Sequence, residues 1–142
     1  VKLWNVFGVE HDMEKSHVIT DFILMAKNEG LIKMRTDGSE ERQFLYAEDC
    51  SNAFEILMNN YSDIKQDIHL TSFQWISIFN VAKIISKMFN NCPIHKADSA
   101  DDIQGGVKNI PERDILSMWQ PSYTLEEGIA QVVQKMSGSK VY

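Results

Sequence analysis

One arginine stands out among the residues that could do chemistry, because it opens an apolar strand. The segment TDGSEERQFLYAEDC, residues 36–50, begins with a charged turn, reaches Arg42 after two glutamates and then becomes apolar. In one interpretation Arg42 forms a surface ion pair with Glu40 or Glu41, which contributes little to stability. In the other, the strand that follows holds a planar guanidinium in place so that it binds a phosphate. The residues alone leave both interpretations open.

A tyrosine and a lysine with YxxxK spacing, Tyr61 and Lys65, form a second candidate. On a helix this spacing places a phenol and an ammonium on one face, where the ammonium can favour proton transfer by the phenol. Thr36 lies upstream at a distance that suits a third catalytic group. However, Tyr61 follows Asn59 and Asn60 at a predicted helix end, and the segment lacks an apolar stripe. We therefore interpret this pair as part of a surface loop.

The common sequence motifs of phosphate-binding loops and metal sites are absent. The sequence contains neither GxGxxG nor GxxxxGK[ST], and its adjacent glycines, Gly105 and Gly106, follow a polar loop and no strand. The four histidines are scattered, without an HExxH motif, so we expect no metal site. Cys50 and Cys92 belong to no CxxC pair. We expect both thiols to be buried and reduced, with no disulfide between them.

The bulk composition is typical of a soluble globular domain. The 142 residues are 44% hydrophobic and 24% charged, with a net charge of −6. This acidic balance argues against nucleic acid or an anionic membrane as the main partner. No apolar run approaches the roughly 20 residues that span a bilayer, and no signal peptide is visible. We therefore expect a cytoplasmic protein.

Apolar periodicity predicts strands and helices that alternate along the chain. The predicted strands cover 1–7, 31–35, 43–47, 67–72 and 92–95. The predicted helices cover 17–29, 48–60, 76–88, 111–118 and 125–135. Ser16 is the expected cap of the first helix, Gly30 its expected end, and Leu3 an expected core residue. The alternation predicts an α/β fold with α+β character, in one domain over 1–136 with a flexible tail over 137–142.

Three motifs in this order resemble the C-terminal half of an extended short-chain dehydrogenase/reductase. They are KLWNVFG at 2–8, TDGSEERQFLYAED at 36–49 and ERDILSMWQPSYTLEEGI at 112–129. The resemblance is to the NAD-dependent sugar-nucleotide epimerases and dehydratases, and it spans about residues 1–135. It implies the substrate-binding part of that fold without the dinucleotide-binding Rossmann half. The family's glycine-rich site and catalytic YxxxK lie upstream of the segment that matches Val1, so we expect a fragment.

The resemblance implies roles for residues of the first two motifs. The arginine that matches Arg42 holds a phosphate of the nucleotide sugar, which favours the phosphate-binding interpretation. Asn5 matches an asparagine that lies where sugar and nicotinamide meet. Trp4, the residue before it, is the implied contact to the cofactor. No catalytic residue and no metal ligand is implied within these residues.

Further substrate contacts are implied at two other places in the chain. Ser16 and His17 match a pair that contacts the nucleotide diphosphate, and Val18 lies close by. Lys33 and Met34 match a strand that lies against the base of the nucleotide. All of these roles are carried over residue by residue from the resemblance.

The implied function is the substrate-binding portion of an isomerase or lyase of carbohydrate metabolism. Its ligand would be a UDP-, GDP- or dTDP-linked sugar, and NAD would be bound mainly by the missing N-terminal half. The piece alone should bind weakly and do no chemistry, and the full-length protein would form a homodimer. The alternative is a catalytically inactive, stand-alone binding or scaffold domain of the same fold.

The sequence departs from the family pattern at several positions. Val9 stands where proline is frequent, and Gln43 stands where an aspartate usually follows the arginine. A second phosphate-binding arginine, expected before the last motif, is replaced by the aspartates at 101–102. Lys108 and Arg113 are the nearby cations that could substitute for it. These departures leave the identity of the nucleotide open.

Overall fold

The computed structural model describes residues 1–64, 67–100 and 109–138, and it confirms a mixed α/β fold. The strands in these ranges are β1 (Lys2–Leu3), β2 (Asn5–Phe7), β3 (Ile32–Lys33), β4 (Glu41–Arg42), β5 (Phe44–Tyr46), β6 (His69–Leu70), β7 (Ile76–Ser77) and β8 (Ile94–His95). The helices are α1 (Val18–Glu29), α2 (Ala47–Asn59), α3 (Ile78–Met88) and α4 (Leu125–Gly138). Short 3₁₀ turns cover Met13–Lys15, Tyr61–Asp63 and Asp114–Ser117.

The described strands form short pairs, most of them parallel. β1 pairs with β6, β2 with β5 and β3 with β8 in parallel, whereas β4 and β7 are antiparallel. Parallel neighbours require a crossover connection, because a tight turn can only reverse the chain. Between β2 and β5 the crossover contains α1, β3 and β4. As a result Asn5 pairs with Phe44, and the first motif lies beside the second.

The core is divided into two apolar clusters by β5. Phe44 and Tyr46 point into a large cluster with residues of α1, α3 and α4. Leu45 points to the opposite face, into a smaller cluster with residues of α2, β6 and the 3₁₀ turn that contains Ile115. This division follows from the strand geometry, in which successive side chains alternate between the two faces. β5 is therefore buried on both sides, with its residues at most 7% exposed.

Near the N-terminus the structure corrects two sequence predictions. The strand predicted over 1–7 is divided at Trp4, and Leu3 is 53% exposed because it lines a cleft and does not pack in the core. Ser16 does not cap α1. His17 occupies the N-cap position in an extended conformation, while the Ser16 hydroxyl donates a hydrogen bond to the Asp21 carboxylate. The C-terminal end of α1 is as predicted, since Gly30 has a left-handed φ of 69°.

Other predicted elements differ mainly in their bounds. The helix predicted over 111–118 is only the 3₁₀ turn Asp114–Ser117, and α3 begins at Ile78 after a Ser77 cap. The edge strand predicted over 92–95 is confirmed as β8. α4 continues through Gly138, two residues into the predicted tail. The loop residues 101–108 and the tail residues 139–142 lie outside the described part of the chain.

A buried carboxylate attaches the C-terminal segment to the start of α2. Asp49 is 0% exposed, and its two oxygens accept hydrogen bonds from the backbone N–H groups of Ser122 at 2.9 Å and Tyr123 at 3.0 Å. The neighbouring Glu48 accepts hydrogen bonds from Lys135 at 2.7 Å and the Tyr123 hydroxyl at 2.9 Å. These two bonds lower the pKa of Glu48. The second and third sequence motifs are thus joined by charge-assisted hydrogen bonds.

We expect Asp49→Asn to destabilise the fold more than Glu48→Gln does. The asparagine offers one acceptor oxygen to two partly buried N–H groups, so one of them loses its partner and the free energy of unfolding falls by about 1.5–3 kcal/mol. Glu48 is exposed, so its variant should lose less. Urea denaturation of both variants measures the difference. An equal loss in the two variants would contradict the role assigned to Asp49.

Candidate functional site

A cleft of about 810 Å³ opens where β1 and β2 face β4 and the start of α1. This volume lies in the range of small-molecule sites, about 300–1,000 Å³. Most of the lining is apolar, including Val6, Phe7 and Ile19. Among the described lining residues, the polar or charged side chains other than the Trp4 indole belong to Asn5, His17, Glu40, Arg42 and Asn109. The cleft therefore combines apolar walls with a few polar groups, one of them a permanent cation.

The cleft brings together five of the residues that the sequence predicted as substrate or cofactor contacts. They are Trp4, Asn5, His17, Val18 and Arg42. They come from the β1–β2 junction, the start of α1 and β4. The pairing of β2 with β5, together with the β4–β7 pair, is what brings these distant segments to one place.

Ser16, Lys33 and Met34, which were also predicted as substrate contacts, do not line this cleft. The Lys33 ammonium is exposed on β3 and forms an ion pair with Glu29 at 2.9 Å. Met34 is only 7% exposed and belongs to the large core cluster. The hydroxyl of Ser16 is bonded to Asp21 on α1. Their binding roles stay predictions from the resemblance.

Asn5 is held at the cleft by the chain segment that follows Arg42. Its side-chain amide donates a hydrogen bond to the backbone carbonyl of Gln43 at 3.1 Å. Gln43 is itself 1% exposed, and its side-chain oxygen accepts a hydrogen bond from the Thr71 hydroxyl at 3.0 Å. The glutamine that replaces the expected aspartate therefore links the residue before β5 to the residue after β6. Sequence reasoning did not foresee this contact, since it links residues 28 positions apart.

Arg42 is partly buried and restrained by its own backbone. Its Nη1 atom donates a hydrogen bond to the Glu41 carbonyl at 2.8 Å. β4 is fixed by antiparallel pairing with β7, in which Arg42 lies opposite Ile76. The guanidinium is thus positioned at the cleft by both a side-chain and a strand contact.

The turn before β4 is anchored to the beginning of α3. The Thr36 hydroxyl donates to Glu40 Oε1 at 2.7 Å and accepts from the Gly38 N–H at 3.2 Å. The backbone N–H groups of Ile78 and Phe79 donate to the carbonyls of Glu40 and Gly38, both at 3.0 Å. These bonds fix the direction from which the chain enters β4, and hence the positions of Glu40 and Arg42.

Glu40 and Asn109 line the cleft but were not predicted as site residues. The sequence interpretation treated Glu40 only as a surface partner of Arg42. Side chains two residues apart in an extended segment point to the same side, so this spacing would have placed Glu40 beside Arg42. No comparable local signal identifies Asn109, which follows the region outside the described residues.

We expect Gly38→Ala to destabilise the protein more than Gly30→Ala. Both glycines have a left-handed φ, 77° and 69°, which costs an alanine about 1–2 kcal/mol. A Cβ at Gly38 would also lie 2.9 Å from the backbone nitrogen of Phe79, whereas a Cβ at Gly30 meets nothing within 4 Å. Chemical denaturation compares the two variants. Equal losses in the free energy of unfolding would show that the turn at Gly38 accommodates the added Cβ without strain.

His17 is held at the cleft by Glu10. One carboxylate oxygen of Glu10 accepts a hydrogen bond from the His17 backbone N–H at 3.0 Å. The other oxygen contacts the Nδ1 atom of the His17 ring. Burial acts to raise the pKa of Glu10, but hydrogen bonds from Thr20 and His17 outweigh it and lower this pKa below its usual value of 4.5. The ionised carboxylate is therefore the form that fixes the start of α1.

We expect the stabilisation by Glu10 to disappear in acid. A carboxylate whose pKa is lowered by folding stabilises the fold above its unfolded pKa, and the effect is lost as the pH falls through the folded pKa. The difference in free energy of unfolding between the wild type and Glu10→Gln should be largest near about pH 7 and shrink below the usual value of 4.5. Urea denaturation across this range measures it. A difference that grows on acidification would contradict the assignment.

A second cleft of about 610 Å³ lies on the other side of Phe7 and Phe44 and is lined in part by Trp75, Arg113 and Tyr123. Arg113, a candidate for the second phosphate-binding cation, belongs to this cleft and does not line the first. Its guanidinium lies 5.8 Å from the centre of the Phe73 ring. Lys108, the other candidate, lies outside the described residues.

Other features of the described chain bear on earlier expectations. Cys50 and Cys92 are buried and free, as predicted. Tyr61 is 82% exposed in a 3₁₀ turn, which agrees with a surface loop, and Lys65 is not among the described residues.

In the described ranges, no group of three or more acidic, histidine or cysteine side chains could hold a metal ion. None of the helices found there is long and apolar enough to cross a membrane.

A family model and two named proteins match this chain over most of its length. A family model described as the NAD dependent epimerase/dehydratase family matches residues 1–91. The chain is 28% identical over 138 residues to UDP-glucuronic acid decarboxylase 1 of Danio rerio, covering 96% of this chain and 32% of that protein. It is 30% identical over 135 residues to GDP-L-fucose synthase of Sinorhizobium fredii, covering 89% of this chain and 43% of that protein.

The fold is shared with solved structures of low sequence identity. An epimerase of Methanothermobacter thermautotrophicus superposes with a TM-score of 0.80 at 21% identity, and the match covers 95% of this chain and 41% of that one. The chain spans less than half the length of each of these three proteins.

Proposed function

The chain belongs to the NAD dependent epimerase/dehydratase family, and from this premise we propose that its cleft binds the diphosphate and the sugar of a nucleotide sugar. The observation that carries the proposal is the convergence of Asn5, His17 and Arg42 on one cleft of about 810 Å³. A nucleotide sugar needs a cation for its phosphates and hydrogen-bonding groups for its hydroxyls. Arg42 can supply the first, and the asparagine and histidine the second.

The electrostatics of the cleft suit a diphosphate. A guanidinium can bind a phosphate through two parallel hydrogen bonds. The contact between Arg42 and the Glu41 carbonyl restrains the side chain, so less conformational entropy is lost on binding. His17 and Val18 line the cleft at the N-terminus of α1, where the helix dipole favours an anion, although the His17 N–H already donates to Glu10.

The Trp4 indole lines the cleft beside Asn5. The Trp4 indole is partly buried, and its ring centre lies 6.0 Å from those of both Trp75 and His69, which holds the indole in place. NAD, when bound, accepts and returns a hydride, and Trp4 is the residue of this chain that we propose faces its nicotinamide. The other cofactor contacts and the catalytic groups are proposed to belong to a longer protein, in which this chain supplies the substrate side.

The proposed ligand class follows from the relatives. The names of two of them contain UDP-glucuronic acid and GDP-L-fucose, so both concern a sugar linked to a nucleoside diphosphate. For this chain the proposed ligands are UDP-, GDP- or dTDP-sugars. The free buried thiols support the cytoplasm as the proposed location, because reduced cysteines are typical of that compartment. The homodimer expected for the full-length protein stays a prediction.

We expect Arg42→Ala to weaken binding of UDP-glucose or GDP-fucose about tenfold or more, because a charge-assisted contact to phosphate is lost. Isothermal titration calorimetry measures the dissociation constants. Arg113→Ala is the matched control, since it removes the same charge from the second cleft and should bind as the wild type does.

Two results would contradict the proposal. One is a wild type that binds neither nucleotide sugar at millimolar concentration. The other is an equal response of Arg42→Ala and Arg113→Ala, which would mean that the effect comes from the net charge of the protein and not from the cleft.

A further inference from the structure

Glu40 has a buried carboxylate oxygen that no described residue satisfies. Its Oε1 atom accepts the hydrogen bond from Thr36 at 2.7 Å. Its Oε2 atom is buried, and within the described chain it has no hydrogen-bond partner. Burying an acceptor without a partner costs free energy, and more so for an ionised group. Because Glu40 lines the cleft, a ligand bound there is a source of the missing donor.

The position of this oxygen is determined by rigid elements. Glu40 directly precedes β4, and both Glu40 and Arg42 line the cleft, as expected for side chains two residues apart in an extended segment. The backbone carbonyl of Glu40 accepts a bond from the Ile78 N–H at the start of α3. The bond from Thr36 fixes the orientation of the carboxylate itself. Glu40 is thus organised before any ligand binds.

The chemistry of a carboxylate restricts what it can recognise. An ionised glutamate only accepts hydrogen bonds, and it repels a phosphate. Glu40 therefore suits a neutral group that carries a donor, while Arg42 beside it suits the phosphate. A nucleotide sugar contains both kinds of group, since its sugar, its ribose and its base carry hydroxyl or N–H donors.

We propose that Glu40 is a specificity-determining residue, whose Oε2 atom accepts a hydrogen bond from a hydroxyl or N–H group of the bound nucleotide sugar. This inference rests on the proposed function of the cleft. Glu40 would be the residue that lets the cleft distinguish a nucleotide sugar from a simple polyphosphate. The cost of the buried oxygen in the ligand-free protein is then recovered when the correct ligand binds.

The test compares Glu40→Gln with the wild type in calorimetric titrations with UDP-glucose, UDP and inorganic pyrophosphate. Glutamine can keep its oxygen towards Thr36 and place an NH₂ group where Oε2 lies, so a donor replaces the acceptor. We expect UDP-glucose to bind about tenfold more weakly and pyrophosphate to bind equally or more tightly. Weaker binding of UDP-glucose alone identifies a sugar hydroxyl as the donor, and weaker binding of UDP as well identifies a group on the nucleoside.

Glu40→Asp is the matched control for charge. It keeps the negative charge and withdraws the oxygen by one methylene, so UDP-glucose should again bind more weakly if the position of the acceptor matters. Thermal unfolding without ligand checks both variants, and we expect the Glu40→Gln midpoint to equal or exceed that of the wild type because a buried charge is removed.

Several outcomes would overturn the inference. They are equal weakening of all three ligands by Glu40→Gln, equal tightening of all three, or wild-type affinity for UDP-glucose in both variants. If Arg42→Ala still weakens UDP-glucose in the same experiment, the proposed function stands and only the role of Glu40 is wrong. A wild type that binds none of the three ligands overturns both proposals.

Discussion

The parallel pairing of β2 with β5 is the contact on which the rest of the structure depends. It joins Asn5 to Phe44 in register, although the two residues are separated by a helix and two further strands. β5 is buried on both faces, so the two apolar clusters of the core meet along it. The same pairing places the Asn5 amide next to the Gln43 carbonyl. Fold and cleft are therefore built on one short pair of strands.

Both ends of the segment that contains β4 and β5 are fixed by polar contacts. Before β4, the bond from Thr36 to Glu40 and the backbone bonds to α3 hold the turn. After β5, the carboxylate of Asp49 binds the chain that leads into α4. Apolar burial supplies the driving force for such a fold, but it is non-directional. These hydrogen bonds supply the direction that positions Arg42 at the cleft.

Local patterns were sufficient for much of the fold. The apolar stripe and the left-handed Gly30 define the end of α1, and the acids after Tyr46 mark the start of α2 within one residue, because these signals act over a few residues of the chain. The order of three motifs indicated the family, and it also grouped Trp4, Asn5 and Arg42 as residues of one site. The sequence by itself thus determined the family, the approximate positions of the four helices of the described chain and five of the residues that line the cleft.

Tertiary structure decided what covers each side chain. Leu3 has the pattern of a core residue but lines the cleft, whereas Met34 lies in the core. Gln43 stands where the family usually has an aspartate, and its side chain accepts a hydrogen bond from Thr71, the residue after β6. The buried oxygen of Glu40 was not visible at all in the sequence. Burial and hydrogen-bond satisfaction are properties of contacts between distant segments, so only the folded chain could show them.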